Sequence, residues 1–281
     1  MSVSSRIRCV VASVALIFGG WSVDGVGAAE PVDVELVLAA DISLSMSPDE
    51  LQIQRRGYAL ALTDPQVLNA IADGAYGKIA ITYFEWAGHR SQHVIVPWTI
   101  IAGQADAERV AKQLSVPTPR QSRRTSISGA LTFAGDLLAE SNFRGVRRVI
   151  DISGDGPNNE GLAVDAVRDV VVARKIIING LPVMANGADL MPYDVAELDT
   201  YYRQCVIGGP GSFVLPVVSW AQFPEALRRK LLLELAGRRL PRRQESSEPI
   251  LVGARTDPSY DCTIGERLWQ EDRGRQRIYN P

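Results

Sequence analysis

Along the chain, uninterrupted apolar runs alternate with stretches whose apolar residues recur at helical spacing. The runs "DVELVLAA" (33–40), "KIAITYFEW" (78–86), "HVIVPW" (93–98), "RRVIDIS" (147–153), "KIIINGLPV" (175–183) and "SFVLPVV" (212–218) read as strands. Helices are expected over about 48–62, 105–114, 126–140, 160–174, 194–204 and 223–235. The second and third strands are joined by a short turn at Gly88 and form a hairpin. The remaining strands are separated by helices, and 175–183 shows no alternation, as when both strand faces are covered. The pattern predicts an α/β fold: a three-layer, doubly wound, mostly parallel sheet with one antiparallel edge hairpin strand. One domain covers about 31–238. The tail at 239–281 is polar and rich in Arg, Glu and Pro, so it is expected to lie extended over the surface or be partly disordered, with Cys262 and Trp269 as its anchors.

Residues 1–29 do not fit this alternation. Arg6 and Arg8 precede an apolar run from Cys9 to Phe18, and the small residues Gly25, Gly27, Ala28 and Ala29 follow. This is the layout of a secretory signal peptide cut after Ala28 or Ala29. The run is shorter than the ~20 residues that span a bilayer, and no later segment qualifies, so no membrane span is expected in the mature chain. The expected location is the bacterial periplasm or the exterior.

Charge and cysteine content narrow the chemistry. Removing residues 1–29 takes Arg6, Arg8 and Asp24 from 30 basic and 32 acidic side chains, leaving 28 and 31. That balance gives no reason to expect a nucleic-acid partner. Cys205 and Cys262 remain in the mature chain; export favours a disulfide between them, with two free thiols as the alternative. They are too far apart in sequence, and too far from any His, to suggest zinc.

The end of the first strand carries more. Asp41, Ser43 and Ser45 follow its apolar run, and in an extended chain residues two apart face the same way. Ser47, Pro48 and Glu50 already form a complete helix cap, so these three oxygens are not needed for capping. In open α/β sheets ligands bind outside the carboxyl ends of the strands, near the point where strand order reverses. Thr125, at the end of the basic loop "PTPRQSRRTS" (117–126), and Asp155, after the fourth strand, reach the same edge. Carboxylates with neutral hydroxyls suit a hard divalent cation.

"DISLS" (41–45), Thr125 and "GDG" (154–156) together resemble the metal-ion-dependent adhesion site of von Willebrand factor type A domains, and the order of elements over about 33–238 is similar to that family, most of all to its uncharacterised exported bacterial members. The resemblance implies that Ser43, Ser45 and Thr125 ligate the metal through hydroxyls, and Asp41 and Asp155 directly or through water. It implies Mg2+, with Mn2+ or Ca2+ as alternatives, and a last coordination position filled by an Asp or Glu of a protein partner. Two positions depart from the family pattern: Leu44 stands where a small residue is common, and Gly154 where Thr is usual.

These features point to a non-enzymatic, cation-dependent adhesion module. The alternative is a metal-dependent hydrolase or phosphoryl-transfer enzyme with Asp41 as nucleophile, but Ser43 occupies the position where such enzymes place a second Asp. A nucleotide-binding domain is disfavoured by the absence of G-x-G-x-x-G and P-loop motifs. Asp151 shares strand parity with Asp155 and could support the site or face a polar cavity. Arg120, Arg123 and Arg124 flank Thr125 and could steer an acidic partner or form a solvated loop, while Trp86, His89 and Arg90 read as an ordinary surface turn. The N-terminal layout predicts that intact-mass analysis of protein from the native cell envelope finds residues 1–28 or 1–29 removed; a full-length mass would refute export.

Overall fold

The computed structural model describes residues 29–116, 121–185, 195, 197–236, 250–251 and 260–279. Residues 1–28 of the expected signal segment, and Arg120, therefore lie outside the described residues. β1 (Glu30–Asp41) is the axis of the sheet. Its apolar run splits by parity: Val34, Leu36, Leu38 and Ala40 enter one core, and Val37 and Ala39 enter another on the opposite face. A strand covered on both faces needs no polar side, which explains the continuous run.

The other strands are β2 (Ile79–Trp86), β3 (Gln92–Ile101), β4 (Phe143–Gly154), β5 (Ile177–Pro182), β6 (Phe213–Val214) and β7 (Ile250–Leu251). They form one sheet in the order β3-β2-β1-β4-β5-β6-β7. β3 and β7 pair antiparallel at the two edges, and the pairings between them are parallel. The doubly wound, mostly parallel architecture is as expected, and β7 adds a second antiparallel edge strand that the tail's composition concealed. The chain leaves β1 in one direction through β2 and β3, then returns to β1's other side with β4. The reversal therefore falls between the carboxyl ends of β1 and β4, where Asp41 and Asp155 stand.

Helices α1 (Pro48–Leu62), α2 (Pro65–Ala72), α3 (Gln104–Leu114), α4 (Ile127–Ala139), α5 (Val164–Ala173), α6 (Leu198–Tyr201), α7 (Phe223–Ala236) and α8 (Ile264–Tyr279) complete the described elements. The Ser47–Glu50 capping box of α1 is present in both directions. Two α1 side chains fix that helix to the sheet below the site: Gln54 Nε2 donates to Asp41 O at 2.8 Å, and buried Arg55 pairs with Glu85 through contacts of 2.5 and 2.7 Å.

Several elements differ from the sequence reading for identifiable reasons. α2 was not expected, although Asp64 caps it by accepting from Gln66 N at 2.8 Å, with Pro65 in its first turn. The helix expected from Glu160 starts at Val164, because Gly161 has φ 96° and the Glu160 carbonyl accepts from Ser126 Oγ. β6 is only two residues long, yet its backbone bonds to β5 continue beyond it, with Leu215 N donating to Gly180 O and Val217 N to Pro182 O; Pro216 between them has no N–H for the other side. Residues 202–204, expected in an ordinary helix, belong instead to a π-helical turn (Tyr202–Val206) after α6. The tail is not wholly extended: its residues 264–279 are helical.

The tail is tied down by the Cys205–Cys262 disulfide, so the described structure has the bonded form of the two alternatives. A separate buried cluster holds α7 to the sheet. Lys230 Nζ lies 2.9 Å from Asp151 and 2.8 Å from Glu234, all three fully or almost fully buried, and Asn179 Nδ2 donates to Glu234 at 3.1 Å. Asp151 thus supports α7 and not the site at the sheet edge. Its carboxyl is pushed up to about 7, chiefly by burial, with Lys230 acting against that rise and Glu234 adding to it. Because the folded state holds this proton more tightly than the unfolded chain, the Asp151 contribution to stability falls as pH rises from the usual Asp value through about 7. Lys230→Met leaves the two carboxylates without their cation. Urea denaturation is expected to register a loss of about 3–5 kcal/mol at pH 8, with a smaller loss at pH 5; an unchanged midpoint would show that the cluster does not hold α7.

Candidate metal centre

The five residues singled out by sequence come to one place from three loops. Asp41 ends β1 with its carboxylate fully buried, and its Oδ1 accepts from Ser43 N at 2.7 Å. Ser43 and Ser45 hydroxyls are 2.9 Å apart, and Ser45 Oγ donates to Asp155 Oδ1 at 2.8 Å. That last bond joins residues 110 positions apart in the sequence. Thr125 joins through the backbone: its N donates to Asn159 Oδ1 at 2.9 Å, and its carbonyl accepts from Asn159 N at 2.8 Å. Thr125 Oγ1 lies 3.8 Å from the position a Cβ on Gly156 would take, so the threonine side chain borders the Asp155 loop.

Electrostatically the arrangement is unbalanced. The Asp41 carboxyl is held well above the usual carboxylate range, first by burial and then by the negative charge of Asp155. Asp41 Oδ2 is buried without a hydrogen-bond partner among the described residues. A buried carboxylate facing a second one is costly unless a proton or a cation joins it. Among the described residues no three His, Cys, Asp or Glu side chains converge. A cation here would therefore rest on two carboxylates and three hydroxyls, the donor set of a hard ion.

Other residues that build the site were not singled out by sequence. Gln121 Nε2 donates to the carbonyls of Ser43 and Met46 at 3.2 and 2.5 Å, and Leu44 N donates to Ser122 O, so the basic loop supports the serine loop. Asn158 Oδ1 accepts from Ser128 N, and Asn159 holds Thr125. The adjacent asparagines after "GDG" were the available signal, since Asn side chains commonly bond to nearby backbone. Trp86 belongs to the buried floor and not to a surface turn, while His89 and Arg90 are exposed as expected.

Residues 31–239 match the family described as "Protein of unknown function (DUF1194)". The chain belongs to this family. No curated protein shows a significant sequence match. Among solved structures, the pilus adhesin SpaC of Lactobacillus rhamnosus GG is similar over 73% of this chain and 31% of its own, at 13% identity and a TM-score of 0.55. Proximal thread matrix protein 1 of the mussel byssus is similar over 74% of this chain and 49% of its own, at 13% identity and a TM-score of 0.51. A von Willebrand factor type A protein of Catenulispora acidiphila covers 73% of this chain and 43% of its own, at 14% identity and a TM-score of 0.46. At these identities the likeness concerns the fold, and this DUF1194 chain spans half or less of each of those proteins.

In the DUF1194 chain, the glycine at 154 has a physical reason. A Cβ there would stand 2.8 Å from the Tyr202 hydroxyl, 3.0 Å from Asp41 Oδ2 and 3.3 Å from Trp86 Cζ2. The space that a threonine side chain would need is taken by Tyr202, which the π-helical turn (Tyr202–Val206) brings under the site. The Tyr202 ring also lies against Gly180, where a Cβ would meet Cδ1 at 2.7 Å, so the tyrosine cannot easily withdraw. Tyr202 is fully buried and its hydroxyl has no hydrogen-bond partner among the described residues. Burial, then the charges of Asp41 and Asp155, keep it protonated well above the usual phenol range. Gly154→Ala is expected to cost about 1–3 kcal/mol by overpacking, and Gly154→Ala combined with Tyr202→Phe to recover part of it; a neutral single substitution in thermal denaturation would contradict this packing.

Proposed function

We propose that this chain is an exported, divalent-cation-dependent protein-binding module whose metal site is Asp41, Ser43, Ser45, Thr125 and Asp155. The observation that carries the reading is the Ser45–Asp155 hydrogen bond beside the unpartnered Asp41 Oδ2, which gathers oxygens from distant loops around two close carboxylates. A bound Mg2+, or Mn2+ or Ca2+ in its place, would neutralise that pair and accept an Asp or Glu carboxylate from a partner. Ser43, Ser45 and Thr125 supply neutral oxygens, so the cation keeps enough net charge to attract an external anion. The role assigned is binding and not turnover, in line with Ser43 standing where an enzyme of the alternative class would hold a second Asp.

Two further features support an acidic partner and an oxidising location. Arg90, Arg123 and Arg124 line a cleft of about 510 Å³ with His89, Ser122, Glu160 and Gly161 on the same rim as Thr125. Glu160, in that lining, accepts from His89 N at 2.8 Å. A basic surface next to the cation steers and selects an acidic ligand. The Cys205–Cys262 disulfide fits the periplasm or the exterior, where such bonds persist. Among the described residues no helix is long and apolar enough to cross a membrane.

Calorimetric titration with Mg2+ and Mn2+ tests the metal site. Thr125→Val keeps shape and deletes one ligand oxygen, and should weaken binding by at least the ~10-fold that losing an outer-shell partner costs elsewhere. Asp155→Asn removes charge and should weaken it more than Ser43→Ala, whose hydroxyl water can replace. Equal affinity in all variants would mean that these oxygens serve the loops alone.

A further inference from the structure

We propose that α8 is a clamp on the metal-site loops, with Glu266 and Trp269 as positioning residues and the Cys205–Cys262 disulfide holding the helix in place; its link to cation affinity rests on the site assignment above. Three contacts carry it, and all three fall on the loops that present Thr125 and Asp155.

The first contact is polar. Glu266 Oε1 accepts from Asn158 Nδ2 at 2.6 Å, and the same amide nitrogen donates to Leu162 O at 3.2 Å. Asn158 also accepts from Ser128 N at the start of α4, and its own N donates to the Tyr201 hydroxyl. Asn158 is fully buried, so every bond it makes fixes the loop that begins at Asp155. Glu266 closes that set from outside the domain.

The second contact is with the residue before Thr125. The Arg124 guanidinium carbon lies 4.1 Å from the Trp269 ring centroid. Arg124 has φ 84°, a left-handed conformation that non-glycine residues rarely adopt. Such a conformation persists only where surrounding contacts over-determine it. The Trp269 face supplies one such contact by attracting the cation.

The third contact is steric. A Cβ on Gly265 would stand 2.1 Å from Asn158 O and 3.0 Å from Pro157 Cβ, so α8 approaches the loop as closely as a backbone allows. Tyr260, Cys262 and Ile264 pack against the core beside this contact, and the disulfide attaches that segment to Cys205 in the π-helical turn carrying Tyr202. The turn that floors the site and the helix that clamps its rim are thus joined covalently. Reduction would release the clamp from its anchor while leaving the sheet intact, which makes the order of the site depend on redox state.

The test uses the mature chain in metal-free buffer, by hydrogen exchange of the segments 122–126 and 155–162, followed by Mg2+ titration. Glu266→Ala, Trp269→Leu and phosphine reduction should each raise exchange in those segments about tenfold, while amides of β1 and β4 stay protected. Mg2+ affinity should fall ~10- to 100-fold, as when an outer-shell partner is lost. Glu266→Gln, which keeps an oxygen acceptor for Asn158, should restore both readouts. If a variant loses β1 protection, Gly265→Ala provides the same displacement from the other side of the contact. If the wild type binds no Mg2+, the site assignment fails and the exchange arm alone decides the clamp. Unchanged exchange overturns the proposal, and so does raised exchange with unaltered Mg2+ affinity in a wild type that binds the ion.

Discussion

The constraint on which the rest depends is the enclosure of Asp41 beside Asp155 at the point where strand order reverses. Burial alone raises the Asp41 carboxyl, and the neighbouring charge raises it further. A fold gains no stability from such a pair in isolation, since desolvating like charges costs several kcal/mol per ion. The surroundings nevertheless hold the pair in place: Gln54 grips the Asp41 carbonyl, Ser45 bridges to Asp155, and Gln121 grips the Ser43 carbonyl. That combination of electrostatic strain and positional rigidity is what the proposed cation site relies on.

Two of the buried polar clusters among the described residues have opposite chemistry. On the α7 side, Lys230 is placed between Asp151 and Glu234, so the cation is built into the chain. Arg147 extends this attachment by donating to the carbonyls of Glu234 and Leu235 near the end of α7. At the sheet edge the two aspartates have hydroxyl neighbours: Ser45 Oγ donates to Asp155 Oδ1 and lies 2.9 Å from Ser43 Oγ. Asp151 and Asp155 lie four residues apart, yet strand pleat and the end of β4 send them to different partners. The Lys230 cluster carries its own cation, whereas the Asp41–Asp155 pair is the one to which the proposed metal site is assigned.

This difference also marks what the sequence could convey. The uninterrupted apolar runs specified the two-sided sheet, because a parallel strand covered on both faces has no polar alternative. "DISLS", Thr125 and "GDG" located one edge, because three loops delivering oxygens to the same end of a sheet is a statement about topology. Asp151 could not be assigned, since parity gives a face but not the identity of the helix packed there, and Lys230 lies 79 positions away. Tyr202 was equally hidden: its position under Gly154 arises from a π-helical turn and contact with Gly180, neither of which has a periodic signal. The helix over 264–279 was not foreseen because composition reports average polarity, whereas α8 is held by a few specific contacts and one disulfide.

Gly154 shows how such a departure from a family pattern should be weighed. Read alone, the loss of a threonine next to Asp155 looks like a weakened site. Read with Tyr202, it is an exchange, in which a rigid aromatic hydroxyl from a distant turn occupies the volume that a local side chain would have filled. The exchange alters how the site is connected. A threonine would belong to β4 itself, whereas Tyr202 belongs to the turn that carries Cys205, which the disulfide joins to the segment leading into α8. The floor and the rim of the site then border the same disulfide-linked segments of chain, with Tyr202 below Gly154 and α8 against the Asn158 loop.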